Sequence, residues 1–328
     1  MSTALGTRPQ HRSVHAFGLL LARHRYLSRR GLQVALGVLW LLDAALQAQP
    51  FMFTRGFATQ VIAPTGQGQP HLVSGPVEFV STLVATHPFA WNLVFAGVQL
   101  LLGVGLLVRR TARVTLAASI VWALGLWYLG EGLSGLASGH ASLLTGAPGS
   151  ALLYAVLAAA AWPRVSSDQA PARWLAWAWA LLWVGAAAFQ LAPGQNSGSA
   201  AASLLTGSAE EAPQWLAPLD TSVATWASHH GGLAVYGLAA VEFLVGVAAL
   251  SRRTRTWALA VGFVLSIAIW VIGQDLGQLY TGQATDPNSA PLIALMAVAL
   301  LAGSGTAATP HPSRRKSGAE TAHAPERR

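Results

Sequence analysis

The sequence predicts an all-α, polytopic membrane protein, on the basis of its composition, the length of its apolar stretches and its charge distribution. Of 328 residues, 53% are hydrophobic and 10% are charged, with a mean hydropathy of +0.46. A soluble domain usually has about a quarter of its residues charged. The chain contains no cysteine, which excludes disulfide frameworks, thiolate nucleophiles, iron–sulfur clusters and cysteine-bound zinc.

Eight apolar stretches are predicted to form membrane helices, because about 20 helical residues cross roughly 30 Å of hydrocarbon. The fourth and eighth are short, so their outer ends are defined only to within several residues. The stretches are 32–49, 88–108, 114–133, 150–162, 174–192, 233–250, 257–276 and 290–303. The long segments 51–86 and 194–229 between them are predicted to lie outside, with short helices near 76–85 and 219–227 that form either a surface cap or a lid.

The distribution of Lys and Arg predicts the orientation, since these residues are retained on the cytoplasmic side near helix ends. Nineteen of the twenty lie in the terminal tails or in the turns after the second, fourth and sixth helices, and only Arg55 falls on the other side. Both termini of this multi-pass protein are therefore predicted to be cytoplasmic, in the cytoplasmic (inner) membrane. The basic residues form no stripe interleaved with aromatics, which argues against nucleic acid as a partner.

The two halves are predicted to be an internal duplication. A shift of 143 residues superposes Trp40 on Trp183 and His87 on His230. The same shift relates Arg30 to Arg173, Gln47 to Gln190, Gly103 to Gly246, Arg109 to Arg252 and Trp127 to Trp270. Each copy has four helices, an even number, so the copies are predicted to be parallel repeats over 30–163 and 173–305 rather than inverted ones. They are flanked by a basic cytoplasmic tail, 1–29, and a disordered cytoplasmic tail, 306–328.

The first predicted helix follows a string that resembles a twin-arginine export signal, Ser28-Arg-Arg-Gly-Leu-Gln33. The equivalent position around Arg173 lies in the middle of the chain, where no signal peptide would occur. The helix is therefore interpreted as retained, with a cleaved signal as the alternative.

Carboxyl groups within the bilayer are costly and mark candidate functional residues. Glu242 is predicted near the bilayer midplane, and its equivalent in the first half is Gln99. This pair indicates either a structural hydrogen bond between the halves or a proton-linked or ligand-linked role. Asp43 lies in the outer half of the first helix, and its equivalent is the apolar Ala186. This asymmetry indicates a feature specific to the first half.

Two further acids are predicted at the outer ends of the third and seventh helices. Glu131 aligns with Gln274, and Asp275 follows one residue later. Each motif continues into a Gly- and Pro-containing segment, which is typical of a helix break or a re-entrant bend lined by polar groups. These residues form the best candidate site, with a solvated helix end as the alternative.

His87 and His230 open the second and sixth helices on the same outer side. Together with the outer acids they could bind a metal or transfer protons. The HxxxH and HxxEH spacings are absent, however, and a histidine that caps a helix at the interface is the commoner arrangement. The sequence therefore predicts no metal site, and no cofactor is evident from the residues themselves.

The first predicted helix has an Arg followed by Leu-Gln-Val-Ala-Leu-Gly-Val-Leu-Trp. The second has Gly-Val-Gln-Leu-Leu-Leu-Gly-Val-Gly-Leu-Leu-Val-Arg-Arg, with Val-Glu-Phe-Leu-Val-Gly-Val-Ala-Ala-Leu-Ser-Arg-Arg in the second copy. By these residues each half resembles a DoxX-like four-helix membrane unit. The resemblance implies a four-helix bundle, duplicated here. The family includes membrane subunits of quinone-linked sulfur oxidation and accessory proteins of redox systems, so a quinone is the implied cofactor.

Three functional hypotheses follow. The first is an accessory or redox-associated membrane subunit, whose outward-facing polar pocket near Glu131 and Asp275 meets a lipid-soluble molecule or a partner membrane or redox protein. The second is a proton-coupled carrier of small solutes that uses Asp43 and Glu242. The third is a structural or assembly protein. The residues do not decide whether the protein is an enzyme.

Overall fold

The computed structural model describes residues 27–163 and 172–304, and this part of the chain consists of helices joined by turns, without a strand. Most of the two predicted tails and the turn 164–171 lie outside the described residues. The ten α-helices of the described part are α1 (Arg29–Gln47), α2 (His71–Thr86), α3 (Pro88–Leu107), α4 (Ala112–Leu129), α5 (Ser150–Ala160), α6 (Leu175–Gln190), α7 (Gly198–Glu211), α8 (Ala217–Ala248), α9 (Arg255–Val271) and α10 (Ser289–Ser304).

Each of the eight predicted apolar stretches overlaps one of these helices. By length and composition, α3, α4 and α8 are long and apolar enough to cross a membrane. The helices α5, α6, α9 and α10 are also apolar but shorter.

The third and seventh predicted helices end earlier than the sequence indicated. α4 ends at Leu129 and α9 at Val271, whereas the predicted ends were 133 and 276. Beyond these ends Leu133 and Leu276 have φ values of 56° and 55°. This left-handed backbone cannot continue a right-handed helix, so the acids predicted at the two helix ends lie in the turns beyond them.

The outer segments also differ from the prediction. The helix expected near 76–85 is present as part of α2, whereas residues 219–227 belong to α8, which runs on to Ala248 through a kink at Gly231. Helix α7 was not predicted. Its sequence is rich in Gly, Ser and Ala, which provides no apolar periodicity, and its start is fixed by the Ser197 side chain, which accepts a hydrogen bond from Ala200 N.

The helices of each half pack in equivalent pairs. α1 packs against α3 and α4 against α5 in the first half, while α6 packs against α8 and α9 against α10 in the second. The halves meet where α5 contacts α10, and Leu157 and Ala297 of these two helices are fully buried. The site described below is built around α5.

Several hydrogen bonds recur in both halves. Trp127 Nε1 donates to Pro148 O at 2.7 Å, and Trp270 Nε1 donates to Pro287 O at 2.9 Å. Such recurring contacts are those that a duplication would produce, and the duplication itself stays a prediction.

A buried amide pair, by contrast, is specific to the first half. Gln47 Nε2 donates to Asn92 Oδ1, and Asn92 Nδ2 donates to Gln47 O at 2.8 Å. The residue equivalent to Asn92 is Val235. We expect Asn92→Val to lower the free energy of unfolding by about 1–3 kcal/mol, because it leaves buried polar atoms of Gln47 without a partner.

This prediction can be checked by thermal unfolding in detergent. The loss should be smaller when Asn92→Val is made in a Gln47→Leu background, because that variant has already lost the Gln47 amide. Equal stability of Asn92→Val and the parent protein would contradict the assigned role of the pair.

Candidate functional site

A cavity lies in the first half, between α1, α3, α4 and α5. Its volume is about 780 Å³, within the range of sites that hold small molecules. Most of the lining is apolar, with the aromatic rings of Trp40, Phe95 and Trp122 among its walls. The dimensions and the lining therefore suit a largely apolar ligand.

The cavity opens sideways. Val114 and Val121 of α4 line it, yet these side chains are 76% and 73% exposed on the outer surface of the bundle. Phe57 and Val61 from the segment after α1, together with Val80 of α2, cover another part of the lining. A ligand could thus reach the cavity from the side of the bundle, alongside α4.

Four polar atoms of lining residues have no hydrogen-bond partner in the protein. They are Asp43 Oδ1, Gln99 Oε1, Trp122 Nε1 and Tyr154 Oη. The Tyr154 hydroxyl does approach the Asp43 carboxyl, but this contact lacks the geometry of an ordinary hydrogen bond to Oδ1. Leaving a buried polar atom unpaired costs about 1–3 kcal/mol, so four such atoms on one cavity indicate a place for a bound polar group.

Glu131 lies at one end of the cavity, in the turn beyond α4. Its Oε1 accepts hydrogen bonds from Ser150 Oγ at 2.7 Å and from Ala151 N at 2.9 Å, and Oε2 accepts from Ser134 Oγ at 3.2 Å. Ser150 begins α5, so the carboxyl group satisfies donors at the start of that helix. Burial raises the pKa of Glu131 to about 7, and the nearby charge of Asp286 adds to the rise. This carboxyl group can therefore gain or lose a proton near neutral pH.

The second half has the same cap without the charge. Gln274 Oε1 accepts from Ala290 N at 3.2 Å, and Gln274 Nε2 donates to Ser289 Oγ at 3.0 Å. Glu131 and Gln274, which the predicted alignment pairs, thus occupy equivalent positions. Each caps the start of the following helix, α5 or α10.

Two polar residues of the lining are not repeated. The residues equivalent to Asp43 and Trp122 are Ala186 and Leu265, both apolar. Asp43 was expected to mark a feature specific to the first half. It lines the cavity, which lies in that half.

The structure brings Asp43, Gln99 and Glu131 together on one cavity, but Asp275 and Gln274 do not line it. Asp275 is buried beside Asp220, with which it shares a side-chain hydrogen bond, and Gly273 N donates to Asp220 Oδ1 at 3.3 Å. The expected outward pocket therefore contains Glu131 without Asp275. Glu131 caps α5 in the first half, whereas Asp275 follows the capping residue Gln274 of the second half and packs against Asp220 of α8.

The hydrogen bond considered between Gln99 and Glu242 is not formed. Gln99 Oε1 and Glu242 Oε2 both lack a partner, and only Gln99 lines the cavity. The physical reason is that α3 packs on α1 and α8 packs on α6, which keeps the two side chains in separate helix pairs. Glu242 is nevertheless buried, with 2% of its surface exposed.

The two outer histidines are exposed and do not line the cavity. His87 lies at the junction of α2 and α3. The His230 ring stacks on Trp226 with a centroid distance of 5.0 Å, and its Nδ1 lies 2.9 Å from Trp226 O. In residues 27–163 and 172–304, no group of three or more His, Asp or Glu side chains is placed to hold a metal ion.

Sequence reasoning did not single out several polar residues of the cavity, among them Trp122, Tyr154 and Asp286. Asp286 belongs to the second half and lines the cavity because the two halves pack together. Its position in the sequence therefore gave no indication that it lies near Asp43 and Glu131. Trp122 and Tyr154 lie in apolar runs and resemble ordinary core aromatics. The replacement of Trp122 by Leu265 in the second half was the one available signal.

No known protein family, no curated protein and no solved structure matches this chain. The described residues form an all-helical protein. It has three helices suited to crossing a membrane and a laterally open cavity. Its function must be argued from the chemistry of that cavity.

Proposed function

We propose that this protein is an accessory, redox-associated subunit of the cytoplasmic membrane that holds a lipid-soluble molecule in its first-half cavity. The observation that carries the proposal is the lateral opening of an apolar cavity with four unpartnered polar atoms. An opening bordered by exposed Val114 and Val121 would face lipid hydrocarbon, from which an apolar ligand could enter without crossing water.

The membrane assignment has support beyond the cavity. Helices α3, α4 and α8 have the length and composition of membrane spans, and they carry exposed apolar side chains such as Leu101, Val121 and Leu244. Large apolar surfaces of this kind are unfavourable in water. In the proposed topology all eight main helices cross the membrane, and both termini and the basic turns are cytoplasmic.

A quinone is the ligand class that a redox-associated role implies. Trp122 Nε1 and Tyr154 Oη can donate to quinone carbonyls, while Asp43 Oδ1 and Gln99 Oε1 can accept from quinol hydroxyls. The described residues include no cysteine or metal group to carry electrons, so the proposal assigns electron transfer to a partner redox protein. The chain's own residues would bind and orient the ring.

The carrier hypothesis receives less support. It requires Asp43 and Glu242 along one path, and Glu242 does not line the cavity that contains Asp43. A binding role requires only residues that line this one cavity, such as Asp43 and Gln99.

The proposed function predicts that Val121→Trp weakens the binding of a tritiated short-chain naphthoquinone by tenfold or more. The larger ring would fill the mouth of the cavity, and a tenfold loss corresponds to about 1.4 kcal/mol. Binding can be measured by scintillation proximity on purified protein in a neutral detergent.

The matched control is Val264→Trp, which changes the equivalent exposed position of α9, 66% exposed and outside the cavity. This variant should bind the probe as the parent protein does. Similar binding by all three proteins would show that the probe partitions into detergent, and the proposed site would be rejected.

A further inference from the structure

The cavity is rich in acid and contains no compensating base. Its lining includes three carboxyl groups, those of Asp43, Glu131 and Asp286, and no Lys, Arg or His. A positive charge placed among these groups would form an ion pair, for which the lining itself supplies no positively charged partner.

Two of the four unpartnered atoms of the cavity are acceptors that also favour a cation. Asp43 and Gln99 are 1% and 5% exposed, and each has an acceptor oxygen without a donor. A buried acceptor is satisfied by a donor or by a cation. Since these atoms belong to two different helices, α1 and α3, the unsatisfied acceptors are a property of the cavity rather than of one side chain.

Aromatic rings complete the surroundings of the acids. The Trp40 and Tyr154 rings lie 4.4 Å apart, and the Phe95 and Trp122 rings lie 6.0 Å apart. All four side chains line the cavity. The faces of aromatic rings attract cations, with up to about 2 kcal/mol when the contact is shielded from water.

We propose that the cavity binds lipophilic cations, namely molecules with an apolar body and an ammonium group that pairs with Asp43. This inference rests on the proposed function to the extent that both place a lipid-soluble ligand in the same cavity, and it adds a preference for positive charge. The second half lacks such a site, because Ala186 stands where the first half has Asp43.

The test compares 4-phenylbutyl-trimethylammonium with its neutral tert-butyl isostere, each radiolabelled, on protein in an uncharged detergent. The two probes have nearly the same shape and differ in charge. We expect the parent protein to bind the cation at least tenfold more tightly than the isostere. Asp43→Asn should abolish most of this difference and leave the affinity for the isostere within about twofold.

The matched control is Glu242→Gln, which removes another buried acid outside the cavity and should leave both affinities unchanged. Glu131→Gln is a second variant in the cavity, and the cap formed by Gln274 shows that glutamine is accommodated at such a position. It should lower the affinity for the cation without lowering that for the isostere. Circular dichroism and gel filtration confirm that each variant is folded.

Each outcome is decisive. Equal binding of the two probes by the parent protein, or binding of the naphthoquinone alone, would overturn the preference for cations and leave the proposed function intact. Equal losses in Asp43→Asn and Glu242→Gln would also overturn it, because the effect would then reflect overall charge. Failure of the cation, the isostere and the naphthoquinone to bind would reject both proposals.

Discussion

Replacing Glu131 with glutamine is expected to reduce the pH dependence of stability between pH 4.5 and 7 by the share that this carboxyl group contributes. Burial raises the pKa of this carboxyl group from 4.5 to about 7, so the folded protein holds a proton that the unfolded chain releases. The contribution of Glu131 to stability is therefore greatest below pH 4.5 and falls as the pH rises toward 7. The full shift corresponds to roughly 3 kcal/mol. The groups that face Glu131 across the cavity are Asp43, Asp286 and Tyr154.

The measurement is the midpoint of thermal unfolding in detergent at pH 5, 6, 7 and 8. The midpoint of the parent protein should fall over this range, whereas that of Glu131→Gln should fall less steeply and exceed the parent value at pH 8. Glu78→Gln, at an exposed position of α2, is the control and should follow the parent curve. Parallel curves for Glu131→Gln and the parent would contradict the assignment.

Gly149→Ala is expected to destabilise the protein by several kcal/mol and to disrupt the cavity. Gly149 precedes α5 with a φ of +106°, a conformation that residues with a Cβ rarely adopt. A Cβ atom there would lie 2.2 Å from Glu131 Oε2 and 2.4 Å from Ser134 Oγ. The substitution would thus force Glu131 away from the start of α5 and break the cap.

Gly139→Ala separates the two causes of this expected loss. Gly139 also has a positive φ, +79°, but a Cβ atom there would meet nothing within 4 Å. Only the backbone penalty, about 1–2 kcal/mol, should apply. Both variants can be compared by thermal unfolding and by naphthoquinone binding, and similar losses in the two would argue against the clash with Glu131.

Much of the helical architecture could be predicted from the sequence. In a chain with few charges, apolar stretches of sufficient length predict helices. The predicted helix ends were wrong where the backbone becomes left-handed, at Leu133 and Leu276. Both residues are apolar, so the sequence there looks like a continuation of the helix. It also missed α7, whose Gly, Ser and Ala residues have no periodic apolar face.

The candidate site was predicted in part. Asp43 stood out because the second half has an apolar residue there, and Glu131 because a carboxyl group follows an apolar run. Asp286 could not be placed, since its neighbours in the cavity are distant in the chain. The expected companion of Glu131, Asp275, packs beside Asp220 instead.

The amino-acid sequence by itself determined that this chain forms apolar helices, where most of them begin, and which acids interrupt them, because these properties depend on short segments and their hydropathy. Only the tertiary structure decided that Asp43, Gln99, Trp122 and Tyr154 share one cavity while Glu242 does not. The reason is physical: the grouping depends on which helix faces pack together, and that choice minimises the energy of the whole bundle rather than of any one segment.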